Sequence, residues 1–142
     1  MRHRREWSDG FKYHFYEFYK NWLVLPSKLY SKKYNVFSND AVLDIGCNDG
    51  VLLKHYPKNF NNVIGIEPSD ASKHIKQNRI KLINKFFNYK TSNDYLKKYN
   101  KPKIITITNV LAQINNLNEF AKGLRNIIDN KSLIIIEFPY LL

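Results

Sequence analysis

The sequence predicts an α/β fold, a mostly parallel sheet with helices packed on it, and three observations carry the prediction. Short apolar segments rich in Ile and Val recur at 41–45, 62–66, 103–108 and 132–138, with a weaker one at 81–84. Their hydrophobicity is nearly continuous, as strands buried on both faces of a parallel sheet require. Segments of helical period lie between them, at 51–56, 69–78, 92–99 and 117–129. The chain has 142 residues, 44% hydrophobic and 15% aromatic, which suffices for one domain with a core and not for two.

Ahead of the first strand, Phe11, Phe15, Phe18, Tyr19 and Trp22 recur at helical spacing, so residues 1–38 read as an N-terminal helical segment. Pro26 interrupts it, since proline cannot donate the helical hydrogen bond, and a second helix is expected over 27–34. Residues 39–142 then form the sheet-bearing domain. In its last helix Leu117, Phe120, Ala121, Leu124, Ile127 and Ile128 make one apolar stripe. The strand at 133–138 is expected to present an exposed apolar edge, open to self-association or to a partner chain.

The net charge of +11 reflects 23 Lys and Arg against 12 Asp and Glu, mostly lysines spread along the chain, which reads as a solvated surface. The cluster Arg2, His3, Arg4, Arg5 is dense enough to contact a phosphate, or equally to be a frayed terminus. No apolar run approaches the roughly 18 residues of a membrane span, and no apolar stretch of a secretory signal is present, so a cytoplasmic protein is expected. The single cysteine, Cys47, excludes an internal disulfide. His3, His14, His55 and His74 lack metal-ligand spacing, and no metal site is expected.

The chemistry is concentrated in Val42-Leu43-Asp44-Ile45-Gly46-Cys47-Asn48-Asp49-Gly50, a strand running into a glycine-bounded turn, with the helical stretch Val51-Leu52-Leu53 following at once. Glycines let backbone amides approach a ligand with no Cβ in the way, and a helix N-terminus adds partial positive charge. Asp44 sits inside the strand end, where an acid is costly to bury unless backbone donors or a cationic ligand compensate it. Glu67 ends the next strand beside the turn, where a carboxylate can accept both ribose hydroxyls of an adenosine. The alternative for Glu67 is an acid at a helix N-terminus, ahead of Pro68 and Ser69. Phe86 and Phe87 follow the third strand, where an adenine can stack.

A nicotinamide dehydrogenase uses the same half-fold, but its fingerprint is Gly-x-Gly-x-x-Gly, and Asn48 occupies the second glycine position. Pyrophosphate would crowd that side chain. S-adenosylmethionine has no pyrophosphate, and Asp44 favours its ammonium or sulfonium where it would repel a phosphate.

The stretch Leu43-Asp44-Ile45-Gly46-Cys47-Asn48-Asp49-Gly50 resembles the first motif of class I S-adenosylmethionine-dependent methyltransferases, and Glu67 resembles their ribose-binding acid. With Gly65-Ile66-Glu67-Pro68-Ser69, it is similar to the C-methyltransferases of nucleotide-linked deoxysugars. Asn109-Val110-Leu111-Ala112-Gln113-Ile114, Asn118-Glu119-Phe120 and Glu137-Phe138-Pro139-Tyr140-Leu141 resemble that family's fourth-strand and fifth-strand motifs. The resemblance covers about residues 40 to 142. It implies a Rossmann-like class I methyltransferase fold, incomplete, with about five parallel strands. It implies S-adenosyl-L-methionine as cofactor, held by Asp44, Gly46, Cys47, Asn48, Asp49, Gly50, Glu67, Pro68, Phe86, Asn109 and Val110, and a nucleotide-linked sugar as small-molecule substrate.

The family places histidine where this chain has Gln113, so proton transfer through that side chain is lost. The resemblance puts the family's acid and base groups in a His-rich cluster downstream of Leu142, and a cysteine-rich zinc module upstream that this sequence does not carry. Within the chain, His14, part of a family-like His14-Phe15 pair, and Gln113 are the remaining catalytic candidates. Two alternatives stay open: a non-catalytic cofactor-binding fragment or half of a split enzyme, and an RNA methyltransferase. The charge allows the second; the Asn109 stretch disfavours it, because amino methyltransferases of nucleic acid bases usually carry Asn-Pro-Pro-aromatic there.

Overall fold

The computed structural model describes residues 34–137; the expected N-terminal helices, His14 and residues 138–142 lie outside the described residues. Five strands, β1 (Ala41–Ile45), β2 (Asn62–Ile66), β3 (Ile80–Ile83), β4 (Ile104–Thr108) and β5 (Leu133–Glu137), form one parallel sheet in the order β3-β2-β1-β4-β5. Helices α1 (Tyr89–Leu96) and α2 (Leu117–Ile127) pack on one face, and short 3₁₀ segments lie at Leu53–His55, Asp70–His74 and Leu111–Gln113. This is the Rossmann-like arrangement the sequence predicts. The chain runs outward through β1, β2 and β3, then returns to place β4 on the other side of β1. Strand order therefore reverses between β1 and β4, and in open α/β sheets the crevice at such a reversal is where ligands bind.

Strand alternation divides the core. Leu43, Ile45, Ile64, Ile66, Ile105 and Ile107 meet Tyr95, Phe120 and Ile127 beneath the helices. Val42, Val63 and Ile104 face the other way, toward Cys47, Leu53, Tyr56, Phe60 and Ile80. Both faces are buried, which is why β1, β2 and β4 read as continuous apolar runs; each such side chain contributes about 1.5–3 kcal/mol on burial. β5 pairs with β4 alone among the described residues, and Ile136 is exposed. Among the described residues no helix is long and apolar enough to cross a membrane.

Two expected helices are short 3₁₀ segments instead. The stretch 51–56 is curtailed to Leu53–His55 because the Arg79 guanidinium reaches in to take the carbonyls of Leu53, Lys54, Tyr56 and Pro57 at 2.9–3.4 Å, ending the turn. The stretch 69–78 is reduced to Asp70–His74, because Ile75 turns inward to pack beneath Gly50. α1 starts three residues earlier than the expected 92: Asn88 caps it, its Oδ1 accepting from the Thr91 amide at 2.9 Å.

Gly123, in the middle of α2, is set by helix packing. A Cβ there would lie 2.9 Å from the backbone carbon and oxygen of Asn88, which caps α1. Alanine gains about 1 kcal/mol of helix propensity over glycine, but the obstructing atoms are backbone and cannot rotate away. The clash wins. Gly123→Ala is expected to lower stability by about 1–3 kcal/mol in urea denaturation, and a stabilised variant would contradict this packing.

Candidate cofactor site

The C-terminal ends of β1, β2 and β4 open into a cleft of about 950 Å³. Ile45 and Gly46 line it from β1, Ile66 and Glu67 from β2, and Thr108, Asn109 and Val110 from β4. Asn48, Pro68, Phe86, Gln113 and Ile114 also line it, so it gathers eight residues singled out in the sequence: Gly46, Asn48, Glu67, Pro68, Phe86, Asn109, Val110 and Gln113. Phe87, Asn88, Lys90, Asn116, Glu119 and Phe120 complete the lining from the helix side.

Three turn residues of this site adopt left-handed backbone, Gly46 at φ 79°, Asn48 at 50° and Gly50 at 74°, and Asn109 does so at 56°. Asparagine is the non-glycine residue that tolerates this region best. That gives Asn48 a backbone reason for standing where a dinucleotide fingerprint has glycine. Gly46 carries a second constraint: a Cβ there would lie 2.2 Å from Val110 Cγ2.

Four of the five turn amides are engaged inside the fold, contrary to the anion-cradle reading of the glycines. The Gly46 and Cys47 amides both donate to the Ile66 carbonyl, at 2.8 and 3.3 Å, and the Gly50 amide donates to the Cys47 carbonyl. The Asn48 amide donates to Glu67 Oε2 at 3.0 Å, and the Val51 amide to Asp49 Oδ1 at 3.2 Å. With only a short 3₁₀ segment behind it, the turn also lacks a developed helix dipole. What remains is a close-approach surface bordered by carboxyl groups.

Asp44, Cys47, Asp49 and Gly50 are not part of the cleft wall. Asp49 is turned to Val51 and to the Lys54 ammonium, 3.4 Å away. Gly50 packs toward Ile75 and Ile80. The Cys47 thiol lies against Gly65, where burial pushes its ionisation up and leaves it inert as a nucleophile. Asp44 is buried one residue before the cleft-lining Ile45 and accepts a hydrogen bond from Thr106 Oγ1 at 2.6 Å.

Glu67 braces the two loops above the sheet. Its Oε2 accepts from the Asn48 amide and its Oε1 from the Ser69 amide at 2.9 Å. Ser69 caps the 3₁₀ turn Asp70–His74, so the helix-terminus reading of Glu67 is realised in the fold. A carboxylate has about four acceptor sites, so two remain for a ligand. Phe86 stands at the rim, 75% exposed with its ring open, whereas Phe87 is engaged edge-to-face with Phe120. The Gln113 amide donates back to the Asn109 carbonyl at 3.0 Å, closing the loop after β4. Asn88, Lys90 and Asn116 went unrecognised in the sequence, because α1 and α2 bring them to the cleft from outside any motif.

Burial, opposed by the Thr106 hydrogen bond and reinforced by the charge of Glu67, pushes Asp44 up to about 7 from 3.8. The folded chain thus binds a proton that the unfolded chain has released above about pH 4. Stability from this group is full below that pH and is lost as pH rises through 7. Between pH 5 and 8 the wild type is expected to lose up to about 2–3 kcal/mol from it, and Asp44→Asn to lose none of that share. Equal pH slopes in urea denaturation of the two proteins would contradict the assignment.

A family model described as a methyltransferase domain matches residues 15–140. No curated protein matches the sequence. Among solved structures, the plantazolicin methyltransferase BpumL, in complex with a triazolic desmethylPZN analog and SAH, is 22% identical at a TM-score of 0.61 over 92% of this chain and 54% of its own. DesVI of Streptomyces venezuelae is 14% identical at a TM-score of 0.60, over 95% of this chain and 59% of its own. The fibrillarin/Nop5p complex is 16% identical at a TM-score of 0.54, over 71% of this chain and 50% of the other. These likenesses are of fold, and the chain spans about half the length of the structures it matches. The family match covers nearly the whole sequence, and with it the cleft at the reversal of strand order: the chain belongs to the methyltransferase-domain family.

Proposed function

We propose that the chain binds S-adenosylmethionine in this cleft and is the cofactor-binding part of a methyltransferase acting on a carbon of a nucleotide-linked deoxysugar. The observation that carries the reading is the pairing of two carboxyl groups, Asp44 and Glu67, with a glycine turn four of whose five amides are engaged inside the fold. Such a site disfavours a diphosphate and favours a cationic nucleoside. The residues present fit that group: Glu67 has acceptor sites left for the ribose, Gly46 admits close approach, the Phe86 ring is open to stack, and Asp44 supplies negative charge. When bound, the cofactor supplies the methyl group.

The chain's own contribution is positioning. Glu67 orients the nucleoside, the Gly46 turn fixes the approach, and the Asn109–Ile114 loop borders the space in which an acceptor is held. The resemblance of that loop to the sugar C-methyltransferases supports the choice of acceptor. Among the described residues of the cleft wall, the titratable side chains are Glu67, which holds two amides, Glu119, which pairs with Lys122, and Lys90. That set supports the division of labour in which proton abstraction belongs to other segments. Calorimetric titration with S-adenosylmethionine, S-adenosylhomocysteine and NAD tests the proposal. The first two are expected to bind and NAD not; failure of both to bind sinks it.

A further inference from the structure

We propose that Thr106 is a positioning residue for the cofactor: its hydroxyl fixes the Asp44 carboxyl at the end of β1 and favours its charged form, toward the cationic end of S-adenosylmethionine. The inference rests on the cofactor reading above and adds to it a residue on β4 that belongs to no motif. Asp44 and Thr106 are register partners across β1 and β4, so their side chains emerge on the same face of the sheet. Both are buried, and the Thr106 Oγ1 to Asp44 Oδ1 distance of 2.6 Å is that of a charge-assisted hydrogen bond. The same hydroxyl lies 3.4 Å from the Leu43 carbonyl, and its one hydrogen serves the nearer and stronger acceptor.

The surroundings give this bond its weight. The titratable groups that act on Asp44 among the described residues are Glu67 at the end of β2, Cys47 in the turn and Tyr56 behind the 3₁₀ segment. Glu67 opposes a second negative charge, and burial holds both Cys47 and Tyr56 neutral. No lysine or arginine of the described residues acts on the carboxyl. Thr106 is the influence in this set that favours the charged form. A valine has nearly the same shape with no donor, so Thr106→Val leaves the packing and removes the bond.

The test is calorimetric titration of S-adenosylmethionine into wild type, Thr106→Val and Thr106→Ser from pH 6 to 9, with thermal melting to establish folding. The wild-type affinity is expected to trace a bell, because the ligand's α-amino group loses its own proton near pH 8. Thr106→Val is expected to move only the acid limb, upward by about one pH unit. That weakens binding roughly fivefold at pH 7 and by less than about twofold at pH 8.5. Thr106→Ser, which restores the donor, is expected to follow the wild type. A loss that is the same at every pH, or no change in Thr106→Val, overturns the proposal and leaves the cofactor reading standing. Absence of binding by the wild type at any pH overturns both. If Thr106→Val does not fold, titration of the Asp44 carboxyl by carbon NMR in Thr106→Ala, Thr106→Ser and wild type decides: Thr106→Ala is expected to titrate higher while Thr106→Ser follows the wild type, and Thr106→Ala coinciding with the wild type overturns the proposal.

Discussion

Replacing Gly46 with alanine is expected to destabilise the chain by about 3–5 kcal/mol and to remove measurable binding of S-adenosylhomocysteine. Two independent costs combine at this position. The backbone sits at φ 79°, where a Cβ costs roughly 1–2 kcal/mol. The new Cβ would also lie 2.2 Å from Val110 Cγ2, closer than any non-bonded contact. Valine has few χ1 wells, so Val110 cannot simply rotate a methyl aside. Either it swings into the cleft or the ends of β1 and β4 spread, and in both cases the space for the cofactor changes. Gly46→Ala with Val110→Ala separates the terms. The double variant is expected to recover the steric share and keep the backbone share, so its stability lies between wild type and Gly46→Ala. Binding by Gly46→Ala within threefold of wild type would contradict the close-approach role.

The same residue shows what the sequence discloses and what it withholds. That a glycine is required after Ile45 is legible, because a strand followed at once by a turn calls for left-handed backbone. That Val110, 64 positions away, imposes a second requirement is not legible, since it follows from the pairing of β1 with β4. Strand positions were readable for a physical reason: β1 and β2 are buried on both faces, and continuous apolar runs mark them without ambiguity. The short connections were not. Arg79 is an unremarkable arginine in sequence, yet its guanidinium ends the segment after the turn from more than 20 residues away. Amphipathic spacing alone, without knowledge of that partner, reads as a longer helix.

The site divides along the same line. Asp44 and Glu67 stand out because an acid at a strand end is costly and therefore conspicuous. The engagement of the turn amides is not conspicuous, since it needs the Ile66 carbonyl and the Glu67 side chain in place. It changes the meaning of the glycines from anion binding to shape. Asn48 is the instructive case: read from sequence it weakens a dinucleotide fingerprint, and in the structure its left-handed backbone and its bond to Glu67 explain both the residue type and the brace.

Glu67→Gln is expected to reduce cofactor affinity by about two to three orders of magnitude. The carboxylate accepts from two amides on opposite sides, Asn48 and Ser69. A glutamine has one oxygen, so its NH₂ group is turned against one of the two N–H donors. Leaving that donor unsatisfied costs about 1–3 kcal/mol in stability where it is shielded from water. The ribose contacts are a separate matter: hydrogen bonds to a charged acceptor are worth about 1.5–3 kcal/mol each, and an amide oxygen already holding a backbone N–H has one lone pair left, too few for both hydroxyls. A cycle distinguishes brace from ribose acceptor. Wild type and Glu67→Gln are titrated with S-adenosylhomocysteine and with its 2′,3′-dideoxy analogue, and the stability of each protein is measured alongside. If Glu67 holds the ribose, the wild type loses affinity on deletion of the hydroxyls and the variant loses little more, because the partners are already absent. If both proteins lose affinity equally on deletion, Glu67 does not touch the ribose, and its whole role is to tie the Asn48 loop to the Ser69 loop.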